Sequence, residues 1–219
     1  MSVILAIDTS AGTSVALLRD GALLAELNSD NHLKHAETIG EAIASVLAEA
    51  GVVGVDVDRV IVGRGPAPFT GLRVGLAAAI MFAEGAKAKL AGVVSLDAIA
   101  LRAFEAGVVA SPERPLLVNT DARRGERYFA LYSGLEAGIP VRVQGPAVAK
   151  PEALAELLAS QGLEPIETHE HLTAKALAQV AIAQDLKGQL DSDASALYLR
   201  APDAVEPKAP GQFGKKVSS

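Results

Sequence analysis

Apolar and polar positions change period several times along the chain, and each change marks an element. Val3–Asp8 is mostly apolar with weak alternation, as a central strand is, and Thr9-Ser10-Ala11-Gly12 turns the chain after it. Thr13–Arg19 and Ala22–Asn28 predict two more strands, joined by the hairpin signal Asp20-Gly21. Beyond a polar loop, Ser29–His35, apolar residues fall at Ile39, Ile43, Val46, Leu47 and Ala50, which predicts a helix from about Ala36 to Ala50 closed by Gly51. Val60–Val62 is a short buried strand, and Gly63, Gly65, Pro66 and Pro68 then break regular structure. Thr70 is placed to cap a helix over Gly71–Glu84. Lys89–Val94 predicts another strand, and Ser95 is placed to cap a helix over Leu96–Glu105 that packs through Leu96, Ile99, Ala103 and Phe104.

The helix after Thr70 departs from the ordinary pattern. No polar side chain occurs from Val74 to Ala83, and a helix apolar all round is covered on more than one side. It falls short of the roughly 20 apolar residues that span a bilayer, so no membrane role is expected. Gly71, Gly75, Ala78, Ala79 and Phe82 share a face of mostly small residues, where a second backbone can come close. Two readings follow: a helix sandwiched inside its own domain, or one packed on a sheet with its other side kept for a partner protein.

From Ser111 the order starts again. Pro115–Asn119 leads into Thr120-Asp121, Ala122–Gly125 is a turn, and Arg127–Ser133 and Val141–Gln144 are strands. Helices at Glu152–Gln161 and Thr173–Leu186 bracket a weak strand near Leu163–Glu167. The order β-β-β-α-β-α thus occurs twice, which predicts an α/β protein of two mixed sheets with helices over them. The expected division is 1–107 and 108–200, with the helix at about 173–186 able to pack back on the first unit and 201–219 a flexible tail.

Composition narrows the function classes. The 219 residues include no cysteine, so disulfides, thiolate nucleophiles and sulfur-ligated metals are excluded, and a cytoplasmic location is expected, with no signal peptide visible. A net charge of −6 argues against unaided binding of nucleic acid. Asp8, Thr9, Ser10 and Gly12 form a strand-end turn that either holds phosphate or serves only as turn formers. His32 and His35, with Glu37, have metal-compatible spacing but read better as helix-entry residues, and His169 and His171 read as solvated. Arg123, Arg124 and Arg127 sit around a hairpin and either touch phosphate or form a solvated turn. Phosphate-loop, nucleophile-elbow and zinc-protease motifs are absent from the sequence.

Several stretches, in order, resemble one family: IDTSAGTSVAL, HAETI, GRGPAPFTGLRVGL, SLDAIA, TDARRGERYFALY and YLRAPDA. The chain is similar to the TsaB (YeaZ) family, the dimerisation subunit of the bacterial complex that makes threonylcarbamoyladenosine (t6A) at position 37 of tRNA. The resemblance implies two actin-like domains of the ribonuclease H-like, ASKHA class. It implies a non-catalytic subunit that dimerises with the catalytic paralogue TsaD, forms a homodimer when alone, works with the ATPase TsaE and meets tRNA only through the complex. No cofactor is expected on this subunit alone, ATP and metal being implied for its partners. In the paralogue a His-x-Glu-Gly-His segment holds the catalytic metal; here the same place reads Ser95-Leu96-Asp97-Ala98-Ile99. The expected partner surface comprises Ile39, Ile43 and Val46 on one helix and Gly71, Gly75, Ala78, Ala79 and Phe82 on the next, with Arg123 and Arg124 as RNA contacts. Rival readings are an actin-like kinase or ATPase, resting on Asp8-Thr9-Ser10-Gly12 and Asp121, and a metallopeptidase-like enzyme.

Overall fold

The computed structural model describes residues 2–29 and 35–200, with side chains from residue 38 onward in the second span. His32, the side chains of His35 and Glu37, and residues 201–219 lie outside what is described. The first half comprises β1 (Val3–Asp8), β2 (Thr13–Arg19), β3 (Ala22–Ser29), α1 (His35–Glu49), β4 (Arg59–Gly63), α2 (Phe69–Ala86), β5 (Lys89–Val93) and α3 (Ser95–Glu105). The second comprises β6 (Leu116–Asp121), β7 (Arg127–Glu136), β8 (Ile139–Ala149), α4 (Pro151–Ser160), β9 (Ile166–Glu167) and α5 (Ala174–Leu186).

The two sheets have the same strand order. The first runs β3-β2-β1-β4-β5 and the second β8-β7-β6-β9, so each opens with three antiparallel strands and adds its later strands in parallel. The doubled β-β-β-α-β-α order is therefore present, with β5 and α3 inserted between its two copies. Two strands differ from the sequence pattern. β8 spans Ile139–Ala149 rather than Val141–Gln144, because its pairing with β7 continues beyond both expected ends, from Glu136↔Ile139 to Arg127↔Ala149. β9 is reduced to Ile166–Glu167.

Strand alternation decides which helix covers which face. Leu5, Ile7, Val15, Leu17, Val60 and Val62 point to α1 and α2, meeting Ile39, Ile43, Val46, Leu72, Leu76, Ala79 and Ala83. Ile4, Ala6, Ala16, Leu18 and Ile61 point the other way, to Ala98 and Leu101 of α3 and to Leu177 and Val180 of α5. The helix at the end of the second half thus packs on the first sheet. Its N-terminal amides are held there: Ala174 N–H donates to Ser14 Oγ at 2.6 Å and Lys175 N–H to Glu26 Oε1 at 3.1 Å. These bonds satisfy donors that a helix start leaves unpaired.

Two expected helix caps are absent. α2 begins at Phe69 after Pro68, so Thr70 lies inside the first turn and caps nothing. α3 begins at Ser95 itself, and its hydroxyl is engaged across the fold rather than with its own helix.

α3 is the element shared by both halves. Ala98 and Leu101 face the first sheet, while Leu96, Ile99, Ala100 and Ala103 pack against Leu116, Val118, Ala130 and Tyr132 of the second. Its carboxylate, Asp97, is buried against the second half. Asp97 Oδ1 accepts from Tyr132 Oη at 2.7 Å, and Arg142 donates to both carboxylate oxygens, at 2.6 Å to Oδ2 and 2.8 Å to Oδ1. Burial pushes the Asp97 pKa up while the Arg142 charge opposes it, and the same burial drives the Tyr132 hydroxyl well above its ordinary value.

Removing one member of a buried ion pair leaves an uncompensated charge, at a cost of about 3–5 kcal/mol. Arg142→Met should destabilise the protein by about that much, and adding Asp97→Asn to it should restore much of the loss. Chemical denaturation of both single variants and the double variant checks this; additive losses would contradict the pairing.

Candidate functional site

The turn after β1 and the start of α3 meet at one place. Asp8 is fully buried at the end of β1, and each of its oxygens already has donors. Oδ1 accepts from the Ser10 amide at 2.6 Å and from Ser10 Oγ at 2.5 Å, while Oδ2 accepts from Ser95 Oγ at 2.6 Å. Ser95 Oγ in turn accepts from the Gly65 amide at 3.1 Å, and the Ser95 amide donates to the Gly65 carbonyl at 2.9 Å. Burial raises the Asp8 pKa, and the Ser10 and Ser95 hydrogen bonds lower it. Of the turn's four candidate residues, Asp8, Thr9 and Gly12 are buried and Ser10 is half-buried. The Asp8 carboxylate is engaged within the fold and does not face open space, while Ser10 reaches the cleft described below.

Thr9 engages α2 in a way that the sequence pattern conceals. Its hydroxyl donates to the Gly71 carbonyl at 2.7 Å and accepts from the Gly75 amide at 3.1 Å. Gly71 and Gly75 are one turn apart, so the hydroxyl bridges a carbonyl and amide of the i, i+4 ladder. A Cβ at Gly75 would stand 2.3 Å from Thr9 Oγ1. Glycine at 75 thus admits a side chain of its own sheet, not a partner helix.

The fold seats most of the expected partner surface inward. Ile39, Ile43, Val46, Gly75 and Ala79 are buried in the core beneath α1 and α2, while Gly71, Ala78 and Phe82 are half-buried. The uncovered side of α2 is a different stripe: Arg73, Ala77, Ile80, Met81 and Glu84. Ile80 is 43% and Met81 72% exposed, and Val53 and Val55, at the start and within the 3-10 turn Gly54–Asp56 that touches α2, are 63% and 70% exposed. α2 is long and apolar enough to cross a membrane, yet Leu72, Gly75, Leu76, Ala79 and Ala83 are buried on the sheet. It is a core helix with one apolar side left open.

Between the halves lies a cleft of about 380 Å³ lined by Ser10 and Pro68 from the first half and by Asn119, Asp121, Arg123 and His171 from the second. Arg123 and Arg124 occupy a hairpin turn with φ of 64° and 54°. The Arg123 amide donates to Asp121 Oδ1 at 2.8 Å, and its guanidinium lies 3.4 Å from Asp121 Oδ2. Glu170, also at the cleft, is held by Arg102 at 2.6 Å, and His169 and His171 are exposed.

The family resemblance raises the question of a metal near α3, and the donor chemistry here does not fit one. Ser95 is bonded to Asp8, Ile99 is an apolar core residue, and Asp97 is bound to Arg142 and Tyr132. Among the described residues, no three His, Asp or Glu side chains converge. Sequence reasoning missed Arg142 and Tyr132, and it named Thr9 without its contact to α2, since these contacts join segments distant in sequence.

Comparison with known proteins gives concordant matches. Residues 29–196 match the family described as TsaD: tRNA N6-adenosine threonylcarbamoyltransferase. An uncharacterised protein of Mycobacterium tuberculosis is 34% identical over 216 residues, covering 93% of this chain and 94% of that protein. The tRNA threonylcarbamoyladenosine biosynthesis protein TsaB of Escherichia coli is 35% identical over 154 residues, covering 70% of this chain and 64% of that protein. The matched region spans only 40% of a longer Mycobacterium leprae relative. The solved structure of YeaZ from Pseudomonas aeruginosa superposes with a TM-score of 0.73 at 26% identity, covering 91% of this chain and 100% of that chain.

The raised Asp8 pKa has a measurable consequence. A folded-state value above the ordinary 3.8 means that the folded protein holds this proton more tightly than the unfolded chain. The resulting stabilisation is full below that ordinary value and is lost as pH rises through the raised one. Asp8→Asn removes the dependence, so the stability of the wild type minus that of the variant should grow as pH falls from about 7 toward about 4. Urea denaturation across that range checks the sign; a difference that shrinks would contradict it.

Proposed function

Because the chain belongs to the TsaB (YeaZ) family, we propose that it is a non-catalytic subunit in tRNA threonylcarbamoyladenosine biosynthesis. In this reading it dimerises with the catalytic threonylcarbamoyltransferase subunit, TsaD, and supports N6-threonylcarbamoylation of adenosine 37. The observation that carries the reading is the start of α3, where Ser95 bonds Asp8 and Ile99 fills the core. Neither side chain offers a metal the imidazole nitrogen that the resemblance places there in the paralogue. This chain's residues therefore build and brace a surface, and the transfer step belongs to the partner. ATP and metal are supplied through the partner subunits, including the ATPase TsaE, in the cytoplasm.

The docking surface in this reading is the open stripe of α2. Ala77, Ile80 and Met81 present apolar area flanked by Arg73 and Glu84, the combination of apolar centre and charged rim common at protein interfaces. The same stripe would pair two copies when the catalytic partner is absent. A net charge of −6 fits a subunit that meets tRNA only within the complex, with Arg123 and Arg124 as its RNA-facing contacts.

Charge placed on the open stripe separates docking from folding. Ala77→Arg and Met81→Arg should weaken association by on the order of several kcal/mol, because the new charge is buried unpaired in the complex. Both should leave the thermal midpoint of the free subunit nearly unchanged, since each side chain reaches water. Gly75→Arg should fail to fold, because its side chain collides with Thr9. Co-elution with the catalytic subunit, read by size exclusion with light scattering, tests this. Wild-type association by both stripe variants would place the partner surface elsewhere.

A further inference from the structure

After α5 the chain runs through residues 189–200 without regular structure, yet it is bonded at intervals to three separate parts of the fold. Its first anchor is on the edge strand β5, where the Gly92 amide donates to the Asp191 carbonyl at 3.1 Å. The aliphatic part of the Arg64 side chain packs over the same glycine. A Cβ at Gly92 would stand 2.4 Å from Arg64 Cδ and 2.4 Å from the Asp193 carbonyl oxygen, so the seat exists only with glycine.

Arg64 is gripped along its whole head group. Nη1 donates to Asp191 Oδ2 at 3.1 Å, Nη2 to Asp193 Oδ2 at 2.7 Å and Nε to the Ser195 carbonyl at 2.9 Å. The Leu197 amide then donates to the Arg64 carbonyl at 2.8 Å. The second anchor is the start of α2. The Tyr198 ring lies 4.8 Å from that of Phe69, and Arg73 Nε donates to the Tyr198 hydroxyl at 2.9 Å. The third anchor is in the other half of the chain. Arg200 Nη1 donates to the Ala122 carbonyl at 2.9 Å, and its Nε lies 3.2 Å from Glu126 Oε2.

The second and third anchors adjoin the cleft between the halves. Phe69 directly follows Pro68, and Ala122 directly precedes Arg123; Pro68 and Arg123 both line that cleft. We propose that residues 189–200 are a clasp that ties the Pro68 wall to the Arg123 hairpin and so sets access to the cleft. Arg64 is the fixed post of the clasp, and Tyr198 and Arg200 are its two working contacts. The Tyr128 hydroxyl, which donates to the Ala67 carbonyl at 3.3 Å, is a weaker tie between the same two walls.

Hydrogen exchange of the full chain, followed by mass spectrometry, tests the clasp. The reporters are residues 122–127, where the Ala122 amide bonds the Glu126 carbonyl and the Glu126 amide bonds the Arg123 carbonyl, both at 3.0 Å. Tyr198→Ala with Arg200→Ala should accelerate exchange in this hairpin at least about tenfold while β1 and β4 stay protected. Arg64→Ala should loosen the same hairpin through the clasp, since the Arg64 side chain is hydrogen-bonded to Asp191, Asp193 and Ser195. Unchanged protection at 122–127 in either variant would overturn the proposal. So would acceleration in the same proportion across β1 and β4, which would make the segment a support of the whole fold rather than a clasp on the cleft.

Discussion

One helix has to satisfy two sheets at once, and the rest of the molecule follows from how it does so. α3 is eleven residues long and offers apolar side chains to both halves, so neither sheet is closed without it. Its two buried polar residues divide the work: Ser95 reaches the first half through Asp8, and Asp97 reaches the second through Tyr132 and Arg142. Buried polar groups are tolerated when each has its partners, and they then specify one geometry rather than many. The same two residues occupy the segment that the family resemblance aligns with the paralogue's metal site. Their hydrogen bonds tie the two halves to one helix.

A second constraint acts on α2. Thr9 reaches into the ladder of this helix at Gly71 and Gly75, which fixes the helix on its sheet and decides which side faces out. With one side seated, the absence of polar residues from Val74 to Ala83 leaves Ala77, Ile80 and Met81 apolar and open. An apolar stripe on a seated helix gives a stiff surface, and stiffness lowers the ordering cost of association. In the proposed function, the docking stripe is turned outward by the same lock that organises the fold.

Much of the architecture was legible in the sequence because period-two alternation and the Asp20-Gly21 hairpin are local signals. The repeated order of strands and helices was legible for the same reason. What misled was chemistry with two local explanations. Thr70 and Ser95 stand where caps stand, but one is bypassed and the other bonds a strand 87 residues earlier. The stripe containing Gly75 and Ala79 has the small residues of a helix–helix contact, yet the close approach it permits is to Thr9 within the same chain. Asp97 and Arg142 are 45 residues apart, and no pattern of neighbours announces the pair. The Asp191-x-Asp193-x-Ser195 run carries no local signal that Arg64 binds its two carboxylates. Local period finds elements; it does not find the polar contacts that join them.

The proposed role is to support threonylcarbamoyl transfer without performing it. The most direct measurement is transfer of a labelled threonylcarbamoyl group from threonylcarbamoyl-AMP to tRNA. It would be run with this chain alone, with the catalytic paralogue and its ATPase alone, and with all three together. The account predicts no transfer by this chain alone, and sustained transfer only when it joins the other two. Metal-dependent transfer by this chain alone would contradict it, as would equal turnover by the other two subunits without it.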